Sequence, residues 1–315
     1  MESPQGTFSI VALDAENGDV GVAVQSRYFA VGAVVPWARA GVGAVATWAR
    51  AGIGAVATQA AGRAAYGPEI LELLASGLEP SDAIERALAG DERRETRQLG
   101  VVDAEGRAAA FTGTECNEWA GHVTGPGFAA QGNILAGEAV VTDMARAIEG
   151  TTGPLAERLV AALEAGQAAG GDRRGQQSAA LVVERPGGIQ ASREGIDRIV
   201  DLRVEDHEEP IRELRRLLGL HERMRLALDT SGLYERREWG AAIAATHASL
   251  ERFPGDPLLL YNLACYESLD ERREAALAHL EQALAADRTM REMARADSDF
   301  AALADDPSFR ALVEQ

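Results

Sequence analysis

The sequence predicts an α+β protein in which a layered domain of sheets and helices precedes an all-α tail of helical repeats. Over residues 1–218, short apolar strands and helix pairs alternate in groups, an order that suits sheets with helices on their faces. Over residues 219–315 the pattern is helical, with a register that repeats after 34 residues. We therefore expect two domains, residues 1–218 and residues 219–315.

Two apolar strands open the first domain. Thr7–Leu13 and Val20–Gln25 are joined by a segment that contains Asn17-Gly18, a dipeptide typical of tight β-hairpins. Both strands are apolar through most of their length. We therefore expect both faces of their sheet to be covered by other layers.

An 11-residue unit follows twice, as WARAGVGAVAT at residues 37–47 and as WARAGIGAVAT at residues 48–58. This unit is too short for a solenoid repeat and suits one strand with a turn. We interpret the duplication as a replication slip that added a strand or loop, and a functional gain from the extra copy is the alternative.

The rest of the first domain continues as helix pairs between groups of strands, and Asp82 is a candidate N-cap. Helices are predicted at residues 68–77, 80–90, 139–149 and 155–169, strands at residues 98–103, 107–113, 127–133, 178–184, 189–192 and 199–204, and a last helix at residues 210–218.

The tail contains two related helical segments, Trp239–Pro254 and Arg273–Arg288, separated by Leu258–Leu269. Three apolar positions match at an offset of 34 residues, which is the tetratricopeptide period. The matched pairs are Ala242 and Ala276, Ile243 and Leu277, and Leu250 and Leu284. Because repeat arrays need about three units to stand alone, we expect the tail to pack on the first domain or on a second subunit.

Composition and charge exclude several kinds of partner. The formal net charge is -18 and every one of the 31 basic residues is arginine, so the surface repels nucleic acid. Cys116 and Cys265 fall in different predicted domains, which argues against a disulfide or a cysteine-based zinc site. The chain has no long apolar run, so we expect no membrane partner and a cytoplasmic protein. No metal-ligand spacing or phosphate loop occurs, so we expect no metal and no cofactor.

The pair Gly6-Thr7, placed directly before the first strand, resembles the proteasome-type N-terminal-nucleophile (Ntn) hydrolases. In that group a Gly-Thr bond is cut, and the freed threonine supplies both the nucleophile and the base. A free α-amine has a pKa of about 7.7–8.0, so part of it is unprotonated at neutral pH. The resemblance also implies a charged residue at the end of the second strand, where Arg27 would hold a substrate carboxylate or steer the nucleophile. The alternative is a structural threonine at a strand start.

Four longer stretches, residues 7–47, 97–113, 116–137 and 170–183, resemble the bacterial family called domain of unknown function 1028. That family is grouped with the Ntn hydrolases by fold. The resemblance, which covers about residues 7–218, therefore implies a four-layer αββα sandwich. Family members often begin Met-Thr-Phe, whereas six residues precede Thr7 here. Removal of residues 1–6, a misassigned start or a non-terminal threonine are the three alternatives.

The resemblance also implies roles for residues further along the chain. Asp172 and Ser178 would orient the freed amine, with a solvent-exposed helix cap as the alternative. Asn133 and the backbone of Gly132 could form an oxyanion hole, with a plain Gly-Asn turn as the alternative. The substrate-binding candidates are Gln25, Ser26, Gly132, His122 and Gln177. A Cys116 nucleophile with His122 as base is a further alternative, less favoured than packing and loop roles.

Together these patterns predict a hydrolase of a small amide or related acyl bond that acts on a small-molecule substrate. The alternative is a non-catalytic Ntn-like scaffold that binds a metabolite or recruits a protein partner through the tail. In both cases we expect a homo-oligomer, with a dimer as the commonest form.

Overall fold

A computed structural model describes residues 6–34, 47–50, 52–186 and 198–314. The chain divides after Leu218 into two compact units. The predicted strand at residues 189–192 and nearly all of the first copy of the duplicated unit lie outside the described residues.

The described part of the first unit contains antiparallel strands arranged in two sheets. The strands are β1 (Thr7–Asp14), β2 (Asp19–Ser26), β3 (Thr47–Arg50), β4 (Gly54–Ala60), β5 (Arg97–Asp103), β6 (Ala108–Thr112), β7 (Gly121–Gly125), β8 (Phe128–Asn133), β9 (Ser178–Glu184) and β10 (Arg198–Val204). One sheet has the order β10-β9-β2-β1-β8-β7, and the other has the order β3-β4-β5-β6. The first sheet thus places β1 between two long neighbours.

Six helices begin within the described part of this unit. They are α1 (Val31–Val34), α2 (Tyr66–Ala75), α3 (Pro80–Leu88), α4 (Ala139–Gly150), α5 (Leu155–Ala168) and α6 (Pro210–Asp229). The last helix is longer than predicted and continues to Asp229, because no proline or turn sequence interrupts it after Leu218. The N-cap prediction for Asp82 is wrong: α3 begins at Pro80, a residue that suits a first helical position.

Alternation of side chains along each strand sorts the apolar residues into separate clusters. Phe8 and Ile10 of β1 pack with α4 and α5 on one face of the first sheet. Val11 of β1 packs with residues of β4 and β5 from the second sheet. Val56 and Leu99 pack with α2 and α3 on the other face of the second sheet. The mixed α and β class predicted for this part of the chain is confirmed.

The second unit is helical in its described residues, as predicted. Its helices are the end of α6, α7 (Ser231–Glu235), α8 (Trp239–Arg252), α9 (Pro257–Leu269), α10 (Arg273–Ala286), α11 (Met290–Ala296) and α12 (Pro307–Glu314). Asp256 caps α9 by accepting a hydrogen bond from the Leu259 N–H at 3.0 Å. Ala242 and Ala276 are both fully buried in its core. The tetratricopeptide assignment itself stays a prediction.

No helix in the described ranges is long and apolar enough to cross a membrane.

A nearly buried ion pair fastens β5 of the first unit to the loop after α3. The Arg97 Nε donates to Asp91 Oδ2 at 2.7 Å, both side chains are 10% exposed, and the Tyr66 hydroxyl donates to the same carboxylate. The guanidinium also donates to the carbonyl of Ala61. The hydrogen bond from Arg97 holds the pKa of Asp91 well below its ordinary value. The pair therefore contributes stability that depends on pH.

Replacing Asp91 by alanine should lower the free energy of unfolding by about 3–5 kcal/mol at neutral pH, because it leaves a nearly buried guanidinium unpaired. Since the folded-state pKa is lowered, the contribution is present above the ordinary carboxyl pKa and is lost as the pH falls towards the folded value. Urea unfolding at neutral and acidic pH measures both effects. Asp143→Ala removes an exposed pair with Arg146 and is the matched control, with an expected change of about 0–1 kcal/mol. Equal losses in the two variants would contradict this assignment.

Candidate functional site

The layer between the two sheets is apolar at one end and polar at the end where β1 begins. The apolar end contains Val11 and Val22 from the first sheet and Ala55 and Val102 from the second. The polar end contains side chains that are at most 1% exposed. They are Thr7, Ser9, Ser26, Gln59, Gln98, Gln131 and Asn133. Because buried polar groups are costly unless they are hydrogen-bonded, this end depends on a defined bonding network.

Strand register brings several predicted site residues into one row of the first sheet. Thr7 lies opposite Ser26 of β2 on one side and opposite Asn133 of β8 on the other. Ser26 in turn lies opposite Ser178 of β9. Residues in one row of an antiparallel sheet point to the same face. Thr7, Ser26 and Asn133 thus share the polar end of the layer.

A second polar row lies on the facing sheet, where Gln59, Gln98 and Thr112 are register partners. Gln59 joins the two sheets at this end. Its Nε2 lies 3.3 Å from the carbonyl oxygen of Thr7, and its Oε1 accepts a hydrogen bond from Ser9 Oγ at 2.7 Å. The first residue of β1 is therefore held by the opposite sheet as well as by its own.

Gln98 is the hub of this network. Its Oε1 accepts from Gln59 Nε2 at 2.8 Å and from Asn133 Nδ2 at 3.1 Å. Its Nε2 lies 2.8 Å from the carbonyl oxygen of Gly132 and 3.0 Å from Thr112 Oγ1. A single side chain thereby fixes the orientation of two amide groups that face Thr7.

His122 lies at the outer end of the same network. It is exposed, and its Nδ1 is 2.8 Å from Thr112 Oγ1. Partial withdrawal of the ring from water lowers the pKa of His122, which favours the neutral imidazole at neutral pH. Among the described residues, a chain of hydrogen bonds through Thr112, Gln98 and Gln59 connects the ring to the Thr7 carbonyl.

The carbonyl oxygen of Gly6 receives two hydrogen bonds. Ser26 Oγ donates to it at 2.7 Å, and Arg174 Nη2 donates to it at 2.7 Å. Thr7 Oγ1 lies 3.0 Å from Ser26 Oγ. Because Ser26 has one hydroxyl proton and directs it at Gly6, the Thr7 hydroxyl is the donor in that contact. The carbonyl of the Gly6–Thr7 bond is thus polarised by a hydroxyl and a cation, beside the hydroxyl of Thr7.

Asp172 holds Arg174 in this position. Its carboxylate accepts from the Arg174 backbone N–H at 2.9 Å, from Arg174 Nε at 3.1 Å and from Arg174 Nη2 at 2.7 Å. The backbone N–H of Arg27 donates to Asp172 Oδ2 at 3.3 Å, the oxygen that also accepts from Arg174 Nη2. The Asp172 side chain is fully buried, so these charge-assisted bonds are shielded from water.

The side chains of Arg27 and Ser178 make other contacts than those that their predicted roles require. The Arg27 guanidinium donates to the carbonyl of Gln176 at 3.1 Å and lines a surface cleft. Ser178 Oγ donates to the carbonyl of Tyr28 at 2.5 Å and accepts from the Val31 N–H at 3.0 Å, so it fixes the turn after β2. The arginine whose guanidinium contacts the Gly6 carbonyl is Arg174, whereas Arg27 was the one predicted to hold a substrate carboxylate or steer the nucleophile.

Gln25 and Gly132 lie on the opposite face of the first sheet from Thr7. Both are register partners of Phe8, which packs with α4 and α5. Gln25 is fully buried there, so a substrate beside Thr7 cannot reach its side chain. A Cβ on Gly132 would lie 2.4 Å from Leu135 Cδ1, so this glycine is needed for packing. The Gln25 side chain thus does not face Thr7, because strand residues alternate between faces, whereas the role of the Gly132 backbone stays a prediction.

Asn133 faces Thr7, and one of the two N–H groups of its side-chain amide donates to Gln98 Oε1. Its Oδ1 is buried and has no hydrogen-bond partner within the described ranges. The oxyanion-hole role predicted for Asn133 stays a prediction, because an oxyanion needs donors and the amide carries a second N–H group. The donors that meet the carbonyl oxygen of Gly6 are Ser26 and Arg174.

Gln177 lines a surface cleft of about 610 Å³ that begins beside Arg27. Its Nε2 donates to Asp206 Oδ1 at 3.0 Å, and its carbonyl accepts from the His207 N–H at 2.8 Å. The lining residues are Arg27, Gln176, Gln177, Asp206, His207, Glu208 and Glu209. The loop that carries Asp172 and Arg174 thus has Gln176 and Gln177 facing this cleft.

Gln59, Gln98 and Arg174 belong to the site but were not predicted from the sequence. A signal was present for the two glutamines, because each is a polar residue at the end of an otherwise apolar strand. Arg174 was visible only as one arginine in the run Asp172-Arg173-Arg174, and the run does not show which side chain turns inward.

A group with metal-ligand chemistry occurs in the second unit, where Cys265, Asp297 and Asp299 lie together. The carboxylates have protein donors: Tyr261 Oη donates to Asp297 at 2.9 Å and Tyr234 Oη donates to Asp299 at 2.7 Å. Burial raises the pKa of the Cys265 thiol, so the protonated form is favoured. These contacts describe a hydrogen-bonded core group.

Comparison with known proteins identifies the first unit. The model of the family of unknown function DUF1028 matches residues 7–48 and 46–214. The chain belongs to the DUF1028 family. The two matched stretches meet at residues 46–48, next to the junction of the two 11-residue copies, as an inserted copy would produce.

One solved DUF1028 structure is similar over most of this domain. It is a crystal structure of a protein from Silicibacter pomeroyi with 33% sequence identity and a TM-score of 0.58, covering 68% of this chain and 88% of that chain. Anbu from Hyphomicrobium sp. strain MC1 matches with 13% identity and a TM-score of 0.32, covering 69% of this chain and 95% of that chain. No curated protein was found to match the chain.

Proposed function

We propose that this DUF1028 protein is an Ntn-type hydrolase of a small amide or related acyl bond, with Thr7 as nucleophile after removal of residues 1–6. The observation that carries the proposal is the setting of the Gly6–Thr7 bond. Its carbonyl oxygen accepts from Ser26 and Arg174, and the hydroxyl of Thr7 donates to Ser26. Donors aimed at a carbonyl oxygen stabilise the charge that develops there when a nucleophile attacks.

The proposed fold is the four-layer αββα sandwich of the Ntn hydrolases. Its support is the packing of the first unit, in which the two sheets share an apolar cluster. Helices α4 and α5 cover one sheet, and helices α2 and α3 cover the other. This arrangement would place the start of β1 at the polar end of the layer between the sheets.

The first reaction is cleavage of the chain's own Gly6–Thr7 bond. Thr7 Oγ1 attacks the carbonyl carbon of Gly6, its proton passes to Ser26 Oγ, and the Ser26 proton passes to the carbonyl oxygen. Arg174 stabilises the charge on that oxygen during the transfer. The hydroxyl on the former carbonyl carbon then gives its proton to the Thr7 nitrogen as the C–N bond breaks, which re-forms the carbonyl group and leaves Gly6 as an ester on Thr7. Water hydrolyses the ester, releasing the Gly6 carboxylate and a Thr7 with a free α-amine.

Turnover of an external amide uses the same atoms. The unprotonated α-amine of Thr7 takes the proton of its own hydroxyl, and the oxygen attacks the substrate carbonyl. The amine leaving group departs with that proton, and water then hydrolyses the acyl ester. Gln59, bonded to the Thr7 carbonyl, and Gln98, bonded to Gln59 and Asn133, keep the start of β1 in place.

A non-catalytic scaffold is the second candidate. It is favoured by the complete burial of Thr7 in the uncleaved chain and by the full engagement of the Gly6 carbonyl. In that case the tail would recruit a protein partner, and the polar network would serve stability alone.

The intact mass of the purified full-length chain separates the two candidates. We expect a species that begins at Thr7, because the polarised Gly6 carbonyl lies beside the Thr7 hydroxyl. Incubation of freshly made chain without other proteins shows whether the loss of residues 1–6 is intramolecular, since its rate is then independent of chain concentration. A chain that keeps residues 1–6 under all conditions would favour the scaffold.

A further inference from the structure

The position before Thr7 has no room for a side chain. A Cβ built on Gly6 would lie 2.8 Å from Asp172 Oδ2, 2.9 Å from Asp172 Oδ1 and 2.9 Å from Arg174 Nη2. A Cβ carbon is not found this close to oxygen or nitrogen atoms in protein structures, so a residue with a Cβ would have to displace one of these groups.

The Asp172 carboxylate is poorly able to move aside. It is fully buried and accepts hydrogen bonds from two backbone N–H groups, those of Arg27 and Arg174. Arg174 is bound to the same carboxylate through Nε and Nη2. A shift of either side chain would break charge-assisted bonds in a site shielded from water.

The ester formed during self-cleavage is also an acyl-enzyme. It joins the carbonyl carbon of Gly6 to Thr7 Oγ1, which is the bond that an external amide with a glycyl acyl part would form. The two species are chemically the same around the reacting carbon. The room around the Gly6 Cα therefore indicates the size of the acyl groups that the site can accept from an external amide.

We propose that Asp172 and Arg174 wall an acyl subsite that accepts amides with an unsubstituted carbon next to the carbonyl, with glycyl amides as the substrate class. This inference rests on the proposed hydrolase function of Thr7. The donors from Ser26 and Arg174 bind the carbonyl oxygen, and the Asp172 carboxylate excludes a substituent on the adjacent carbon. The chain's own Gly6 fits this subsite because it lacks a Cβ.

Two matched measurements test the subsite. The first compares self-cleavage of the wild-type chain with that of Gly6→Ala by intact mass, with Gly137→Ala as control because a Cβ on Gly137 meets nothing within 4 Å. The second compares hydrolysis of acetylglycine p-nitroanilide and acetyl-L-alanine p-nitroanilide by the cleaved wild-type protein. We expect Gly6→Ala to be cleaved more slowly and the glycyl anilide to be preferred, each by about 10- to 200-fold, the range over which pockets discriminate one carbon.

The outcomes separate this inference from the proposed function. Equal hydrolysis of the two anilides, or cleavage of Gly6→Ala at the wild-type rate, would overturn the subsite while Thr7 remained the nucleophile. A wild-type chain that neither cleaves itself nor hydrolyses either anilide would overturn both. Comparison of the circular dichroism spectra of Gly6→Ala and Gly137→Ala shows whether Gly6→Ala folds. If it does not, the relative hydrolysis of the two anilides by wild-type protein tests the subsite alone.

Discussion

Replacing Thr7 by alanine is expected to leave residues 1–6 on the chain and to lower amide turnover by roughly 10⁴- to 10⁶-fold, the loss seen when a nucleophile is removed from a catalytic unit. The variant lacks the Thr7 hydroxyl, which is the group that we propose attacks the Gly6 carbonyl. The Ser26 hydroxyl, the other one nearby, already donates to that carbonyl oxygen. Intact mass over time and an anilide assay measure the two losses.

Thr7→Ser is the matched control because it keeps the attacking oxygen and removes one methyl group. We expect this variant to cleave itself and to turn over substrate. Alanine is smaller than threonine and leaves unfilled space at this buried position, which lowers stability. The thermal unfolding of Thr7→Ala must therefore be compared with that of Thr7→Ser. Loss of residues 1–6 from Thr7→Ala at the wild-type rate would mean that another group or another protein cuts the bond.

Part of the site could be derived from local sequence patterns. The Asn17-Gly18 turn sets the register of the β1–β2 hairpin, and that register places Ser26 opposite Thr7. The same alternation already implies that Gln25 faces away from Thr7, since neighbouring strand residues point to opposite faces. The predicted substrate contact of Gln25 is inconsistent with this alternation, because Gln25 precedes Ser26 on the same strand.

The contacts between the sheets could not be derived in this way. Gln59 and Gln98 meet Thr7 and Asn133 because two sheets stack with a particular offset. That offset is set by the sum of many apolar contacts in the layer, and no single stretch of sequence encodes it. Long-range packing of this kind explains why most described strands were predicted, with β7 as an exception, while the polar network between the sheets was missed.

The choice between Arg27 and Arg174 depended on loop geometry. Gly171 and Gly175 flank the segment with φ values of 54° and 102°, in the left-handed region that residues other than glycine seldom adopt. These two turns direct Asp172 and Arg174 towards Gly6 and leave Gln176 facing the cleft. The sequence indicates a turn at each glycine, but the direction in which the loop leaves each turn is set by its contacts.

Arg174 is therefore the residue whose replacement tests the electrostatics of the site most directly. Arg174→Ala should slow cleavage of the Gly6–Thr7 bond by about 10²- to 10³-fold, the effect of removing one donor from a developing oxyanion. Arg174→Lys should recover part of the rate, because an ammonium supplies charge but cannot donate to Asp172 and Gly6 in the same planar geometry.

Arg173→Ala is the matched control for Arg174→Ala, since the neighbouring guanidinium donates to the carbonyl of Glu118 at 2.5 Å and does not contact Gly6. Both variants remove one arginine from the same loop, so a general effect of lost positive charge would slow both. A rate that falls only in Arg174→Ala, with thermal unfolding unchanged between the pair, assigns the effect to the bond with the Gly6 carbonyl. Cleavage of Arg174→Ala at the rate of Arg173→Ala would instead mean that Ser26 alone stabilises the oxyanion, and the cation beside Thr7 would have no part in the chemistry.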